Sequence, residues 1–261
     1  MFVKKLNSFL IFMSDNKYRK CILGIMSYNN GDDLKSTINS MPKNFPIETI
    51  VHIDGSTDGS DKILNQYSFK VLKNNKNIGV GKSIKNTIFY SIQNNYEYLV
   101  VMPGNNKNQI EQTMRLFDPL VNSKAEYVQG SRYLKGSKRD NTPIFRLIMV
   151  KVHAFMFSIL TGKKCTDALE GVRGYKLSLF KQNFLNIDQE WLDTYELETY
   201  IHYKFLTNNV KYTEVPISKL YPKNKISLFN LRGKKYSHIR PFIDWWKILR
   251  PIPLLIFKIK S

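Results

Sequence analysis

Along the first half of the chain, short apolar runs closed by Asn, Gly, Ser or Asp alternate with segments whose apolar positions recur every three or four residues. Cys21 to Ser27 (CILGIMS) is such a run, and Asn29-Asn30-Gly31 stops it. The pattern predicts a buried strand, then a helix over residues 32–40. Ile47 to Ile53 predicts a second strand, followed by the loop Asp54-Gly55-Ser56-Thr57-Asp58-Gly59-Ser60 and a short helix over 61–66. A third strand is predicted at 69–72, a helix at 80–93 with Ile84, Ile88 and Ile92 on one face, a fourth strand at 98–102 and a helix at 110–120. Apolar strands alternating with helices, one unit roughly every 25 residues, define an α/β chain with a mostly parallel central sheet and helices on both faces. Ligands of such sheets sit at the carboxyl ends of the strands. The loops at 29–31, 54–60 and 103–109 all fall there.

The second half changes character. A strand is predicted at 126–129, a polar loop at 135–143, an apolar helix at 146–160, an amphipathic helix at 192–206 and a strand at 210–217. The apolar helix is read first as ordinary core, and second as a surface for lipid. Neither a flexible linker nor an internal repeat interrupts the series. The expected organisation is a basic N-terminal segment (1–20), one domain (21–217) and a basic aromatic tail (218–261) that docks on the domain or on a membrane surface.

Composition narrows the classes. At 43% hydrophobic and 13% aromatic residues over 261 positions, the chain is not disordered. No apolar run reaches the roughly 18 residues of a membrane span. Cys21 and Cys165 make neither a disulfide framework nor a zinc site, and four histidines are scattered. The net charge of +19 sits mostly at the ends: residues 219–261 hold eleven Lys/Arg and one acid, and residues 1–20 hold five and one. Such an excess fits nucleic acid, an anionic membrane or a phosphorylated substrate, or reflects solvated lysines. No aromatic-basic stacking strand or recognition helix supports nucleic acid. Near the N-terminus, the short apolar patch Phe9 to Met13 lacks a small-residue cleavage site, so a signal peptide is not expected.

Two strings invite chemistry. Gly79-Val80-Gly81-Lys82-Ser83 ends like a phosphate-binding P-loop, but Lys76 stands where that loop needs its first glycine. The better reading is a helix N-terminus with Lys82 in its first turn. Asp54-Gly55-Ser56-Thr57-Asp58-Gly59-Ser60 places a carboxylate at a strand end, hydroxyls beside it and glycines that let a backbone approach closely. It reads equally as a capped turn.

The order of pieces resembles the family 2 glycosyltransferases of GT-A (Rossmann-like) fold, and especially the dolichol-phosphate mannose synthase and polyprenyl-phosphate glycosyltransferase branch. The residues that carry it are Ser27-Tyr28-Asn29, Asp54 to Ser60, Asn77-Ile78-Gly79 with Asn86, Gly130-Ser131-Arg132-Tyr133, Asp167 with Gly171-Val172-Arg173-Gly174-Tyr175, and Glu214-Val215-Pro216. The resemblance implies transfer of a sugar from a nucleotide-sugar donor to an acceptor, with inversion at the anomeric carbon. It implies donor contacts at Asp54 and its loop, with Ser56 and Asp58, and at Tyr28 and Asn29; Lys82, Asn105 and Lys107 are added as candidate donor contacts from their place in the chain. It places Arg132 and Arg173 near phosphates, and Asp167 near the reacting sugar or acceptor. Asp167 and Glu170 are the candidate bases for an alcohol acceptor. A polyprenyl phosphate, already an anion, needs none; a cell-surface glycan intermediate is the other acceptor class.

Two departures stand out. Ile53 replaces the first of two aspartates usual at the second strand's end. Pro103-Gly104-Asn105 occupies the place of the metal-binding Asp-x-Asp. Magnesium or manganese prefers charged oxygen ligands, so Asn105 would hold either weakly or leave it dispensable. No organic cofactor is implied. In the active reading, cations among Lys82, Lys107, Arg132 and Arg173 stabilise the leaving diphosphate. In the alternative, the protein binds nucleotide sugars without turnover. The expected location is cytoplasmic, peripheral on the inner face of the membrane.

Overall fold

The computed structural model describes residues 17–140, 142, 144–220, 243–257 and 259. Seven strands form the central sheet: β1 (Cys21–Ser27), β2 (Glu48–Asp54), β3 (Lys70–Asn74), β4 (Tyr98–Pro103), β5 (Tyr127–Ser131), β7 (Arg173–Lys176) and β8 (Tyr212–Pro216). Their order is β3-β2-β1-β4-β7-β5-β8. All neighbours run parallel except β7, which is antiparallel to β4 and β5. The short pair β6 (Arg139–Asp140) and β9 (Lys219–Leu220) lies apart from it.

The central strands β1, β2 and β4 are buried along nearly their whole length, without alternation, because both faces are covered. Ile22, Ile50 and Leu99 point into one core, against α3 (Val80–Gln93) and α6 (Glu196–Thr207). Leu23, Val51 and Val100, one residue on, point into the other, against α1 (Gly31–Asn39) and α4 (Met114–Val121). Each fully buried Leu or Ile contributes about 1.5–3 kcal/mol. A short helix α2 (Ser60–Leu64) follows β2, and a 3-10 turn at Ile110–Thr113 leads into α4.

The second half departs further from expectation. Arg173–Lys176 (RGYK) carries no apolar run, yet it fills the gap between β4 and β5. Gly174 permits this, since a Cβ there would stand 3.0 Å from Leu120 and 3.3 Å from Val100. The apolar helix α5 (Ile144–Thr161) buries Val150, Ala154 and Phe157 but leaves Ile148, Val152, Phe155 and Ile159 exposed. It is therefore not an ordinary core helix.

Over its described part, the chain past 217 packs on the domain. Lys219 pairs with Arg139, and Leu220 N–H donates to the Lys107 carbonyl (2.9 Å). Helices α7 (Ile243–Leu249) and α8 (Pro251–Ile256) pack on α6: the Thr199 hydroxyl donates to the Ile248 carbonyl (3.0 Å), and Leu255 joins the core. At the other end, Tyr18 donates to Asp118 (2.6 Å). Residues 1–16, with the apolar patch Phe9 to Met13, and residues 221–242 lie outside the described residues.

Candidate active site

The polar loops after β1 and β2 are tied to one another. Asn29 adopts a left-handed conformation (φ 45°), which asparagine tolerates better than most residues. Its N–H donates to Ser56 Oγ (3.0 Å), and its Oδ1 accepts from Thr57 N–H (2.8 Å). Asp58 accepts from Gly31 N–H, the first residue of α1 (2.9 Å), and from the N–H (3.1 Å) and hydroxyl of Ser60. Burial would raise the Asp58 pKa, but these donors outweigh it and hold the carboxyl below its ordinary value. Asn29, Ser56 and Asp58 thus meet at one edge of the sheet, and Tyr28 precedes Asn29 at the end of β1.

Asp54 is only 4% exposed. Its oxygens accept from Ile78 N–H (3.0 Å), Gly79 N–H (3.0 Å) and the Asn74 amide (2.8 Å). The carboxylate is directed onto the loop after β3, rather than into an open crevice. Gly55 (φ 63°) makes this approach possible, because a Cβ there would lie 2.1 Å from the Lys76 carbonyl carbon. The glycine-lysine string has a packing explanation too. A Cβ on Gly81 would sit 2.2 Å from the Leu192 carbonyl oxygen, and Lys82 N–H donates to the Asp193 carbonyl (2.9 Å). Buried Lys85, one turn on, pairs with Asp193 (2.7 Å). The start of α3 is seated on residues 189–194 and forms no P-loop.

A second cluster follows β5. Arg132 clamps Asp167 through Nε (2.6 Å) and Nη2 (2.8 Å), and its backbone N–H adds a third bond (3.1 Å). Arg132 Nε also lies 3.2 Å from Glu170, which receives Lys219 Nζ on both oxygens (3.0 and 3.1 Å). Asp167 and Glu170 are both 0% exposed. Beyond them, Glu214 accepts from Thr166 N–H (2.8 Å) and Asp167 N–H (3.2 Å), fixing the segment that carries Asp167. Buried charges in such a set stabilise one another, and removing one strands its partner.

Arg173 does not join this cluster as a phosphate ligand. Its guanidinium is buried and donates to the carbonyls of Glu170 (3.1 Å), Ala168 (2.9 Å) and Glu198 (2.7 Å), with the Glu198 carboxylate 3.3 Å away. The expected phosphate contact is replaced by a structural one, because these donors are spent on protein acceptors. Burial raises the Glu198 pKa more than Arg173 lowers it.

The metal expectation can be tested on the loop after β4. Gly104 N–H donates to the Met26 carbonyl (2.8 Å), so Pro103-Gly104-Asn105 lies at the strand end where the expected motif would be. The Oδ1 atoms of Asn105 and Asn108 are buried without a partner. Among the described residues, no group of three or more His, Cys, Asp or Glu is placed to hold a metal ion. Two neutral amide oxygens do not fit a divalent ion that prefers carboxylates. Lys107 lies in this loop and Lys82 on the first turn of α3, both half-buried.

Sequence reasoning missed Lys219, Glu198 and the role of Glu214. Lys219 falls just past the expected domain boundary, where nothing local distinguishes it from other lysines. Glu214 stands in a quoted motif, but only the fold shows that it grips residues 166–167.

Polar loops gathered at the carboxyl ends of a mostly parallel sheet, with a buried charge cluster facing them from β5, are the architecture of a GT-A glycosyltransferase. Residues 23–184 match the family Glycosyl transferase family 2, and the chain belongs to that family. It is 23% identical to a polyprenol monophosphomannose synthase of Mycolicibacterium smegmatis, over 88% of each chain. It is 24% identical to an undecaprenyl-phosphate mannosyltransferase of Micrococcus luteus, over 74% of this chain and 81% of the relative. In fold it is similar to mannosyl-3-phosphoglycerate synthase of Rubrobacter xylanophilus (TM-score 0.66, 14% identity, 94% of this chain and 77% of that one). It is also similar to glucosyl-3-phosphoglycerate synthase of Mycobacterium tuberculosis (TM-score 0.55, 13% identity, 78% and 72%), whose structure holds Mn2+ and UDP.

Proposed function

We propose that this glycosyltransferase moves a sugar from a nucleotide-sugar donor to a polyprenyl phosphate at the cytoplasmic face of a membrane. The carrying observation is that both candidate bases are occupied: Asp167 by Arg132, and Glu170 by Lys219 and Arg132. An alcohol acceptor needs a base to take its proton. A phosphate acceptor arrives ionised and is suited to a site whose carboxylates are already committed. The names of the relatives, a polyprenol monophosphomannose synthase and an undecaprenyl-phosphate mannosyltransferase, support the same acceptor class.

In this reading the loops of Tyr28, Asn29, Ser56 and Asp58 hold the nucleoside, and Asp54 shapes them through residues 78–79. A phosphate oxygen of the acceptor attacks the anomeric carbon, and the bond to the nucleoside diphosphate breaks with its electron pair on the leaving oxygen. Lys82 and Lys107 supply positive charge there, which stabilises the transition state. Arg132 meets the acceptor phosphate, and Asp167 orients Arg132.

The test is a screen of UDP-, GDP- and CMP-sugars with a polyprenyl phosphate, with and without EDTA. A lipid-phosphate sugar formed with little loss in EDTA is expected. Activity abolished by EDTA and restored by manganese would overturn the cation reading. Labelling of a glycan alcohol but of no polyprenyl phosphate would overturn the acceptor.

A further inference from the structure

Helix α5 is strongly apolar and carries a second apolar row on its outer side beyond the buried one, a pattern of helices that meet another apolar surface. Its inner side packs on Cys165, Ala168 and Ile252. Its outer side repeats Ile148, Val152, Phe155 and Ile159 at spacings of four, three and four, with Phe155 66% and Ile159 65% exposed. Among the described residues nothing covers this row. The packing of Ile252 on Ala154 and Phe157 sets α8 alongside, and the turn after α8 leaves Phe257 71% exposed. Contiguous exposed apolar surface of this kind marks an interaction site.

The charges beside the row favour one partner. Residues 141–166 contain four Lys/Arg and no acid, and residues 245–261 likewise contain four and none. Lys151, Lys163 and Lys164 are exposed. A second copy of this chain would bring like charges together, whereas an anionic lipid surface complements them. Exposed Trp246 and Phe257 add the aromatic character of interfacial segments. No described helix is long and apolar enough to cross a membrane, so α5 would lie in the plane of the interface. The helix also leads straight to the charge cluster: Cys165 N–H donates back to Ser158 Oγ (3.0 Å), and Asp167 follows two residues later.

We propose that the outward face of α5, with the end of α8 beside it, is an interfacial surface that seats in the headgroup layer of an anionic bilayer and brings the segment bearing the buried Arg132–Asp167–Glu170–Lys219 cluster close to the leaflet. This rests on the lipid-phosphate reading above and assigns the side from which that acceptor arrives.

Flotation of the full chain with phosphatidylcholine vesicles, with and without phosphatidylglycerol, tests it. The chain is expected to float with the anionic vesicles, less so at high salt. The double variant Phe155→Ser/Ile159→Ser should lose at least about tenfold in vesicle binding, since two large apolar side chains no longer insert. It should keep its thermal stability, and its turnover of a short water-soluble polyprenyl phosphate. Unchanged flotation of the variant overturns the assignment. So does a wild type indifferent to vesicles, whether it self-associates or is markedly destabilised by the variant, as it would be if residues 221–242 covered the face. Flotation with no transfer to any acceptor would sink the functional reading while leaving the surface standing.

Discussion

The loops after β1 and β2 and the cluster after β5 both depend on carboxylates, and they use them differently. Asp54 and Asp58 accept mostly from backbone N–H groups of neighbouring loops. Asp167 and Glu170 accept mainly from the cations Arg132 and Lys219. Hydrogen bonds to a charged group contribute about 1.5–3 kcal/mol each, whereas breaking a buried ion pair costs about 3–5 kcal/mol. The loops after β1 and β2 are therefore a shaped backbone held by acids. The cluster after β5 is a set of opposed charges that hold one another.

The most severe test of this contrast is Asp167→Ala. It strands Arg132 in a buried site and should lower unfolding free energy by about 3–5 kcal/mol in urea titration. The paired change Arg132→Met/Asp167→Leu should recover much of that stability while abolishing transfer. If it recovers nothing, the pair is not the source of the cost.

Acidification comes next. Burial lowers His153 from its ordinary 6.5 to about 4, with the Arg173 charge adding to the effect. Buried His202 is depressed in the same direction. The unfolded chain binds protons that these folded imidazoles refuse. Their contribution is complete above about pH 6.5 and is lost as pH falls toward 4. For His153 alone the loss is on the order of 3 kcal/mol. Denaturation midpoints measured across that window should fall, and His153→Phe should flatten the slope. The loops after β1 and β2 have no comparable response, because Asp58 is depressed and loses its contribution only below the ordinary carboxylate range.

Asp54→Ala should cost about 2–3 kcal/mol, by leaving the Ile78 and Gly79 N–H groups unpaired. In the proposed reading it should also abolish donor binding in calorimetry, since Asp54 ends β2 where the 54–60 loop begins. Retained affinity would break the link between loop order and donor recognition. The smallest effect is expected for Ser56→Ala, which removes one acceptor from the half-buried Asn29 N–H and should cost about 1 kcal/mol. A donor affinity that falls by more than the stability loss explains would show a direct contact.

Much of the first half was legible because its signals are local. Val80–Gln93 reads as a helix to the residue, and the strands at 21–27 and 98–103 announce themselves as apolar runs. Arg173–Lys176 did not, because its strand character comes from β4 and β5 on either side. The helix at 144–161 was legible as a helix but not as a surface. Apolar periodicity shows that a face avoids water, and does not show what covers it.

The sequence by itself determined the α/β class, the loops that gather at the strand ends, the family resemblance and the missing carboxylates at 103–105. These follow from patterns a few residues long and from steric rules that act within them. Only the tertiary structure decided what each charge does. Arg132 and Arg173 look alike in sequence, yet one faces the charge cluster and the other is spent on core carbonyls. The reason is distance along the chain: the groups that answer Asp167 and Glu170 lie 35 and 49 residues away, and folding alone brings them within hydrogen-bonding reach.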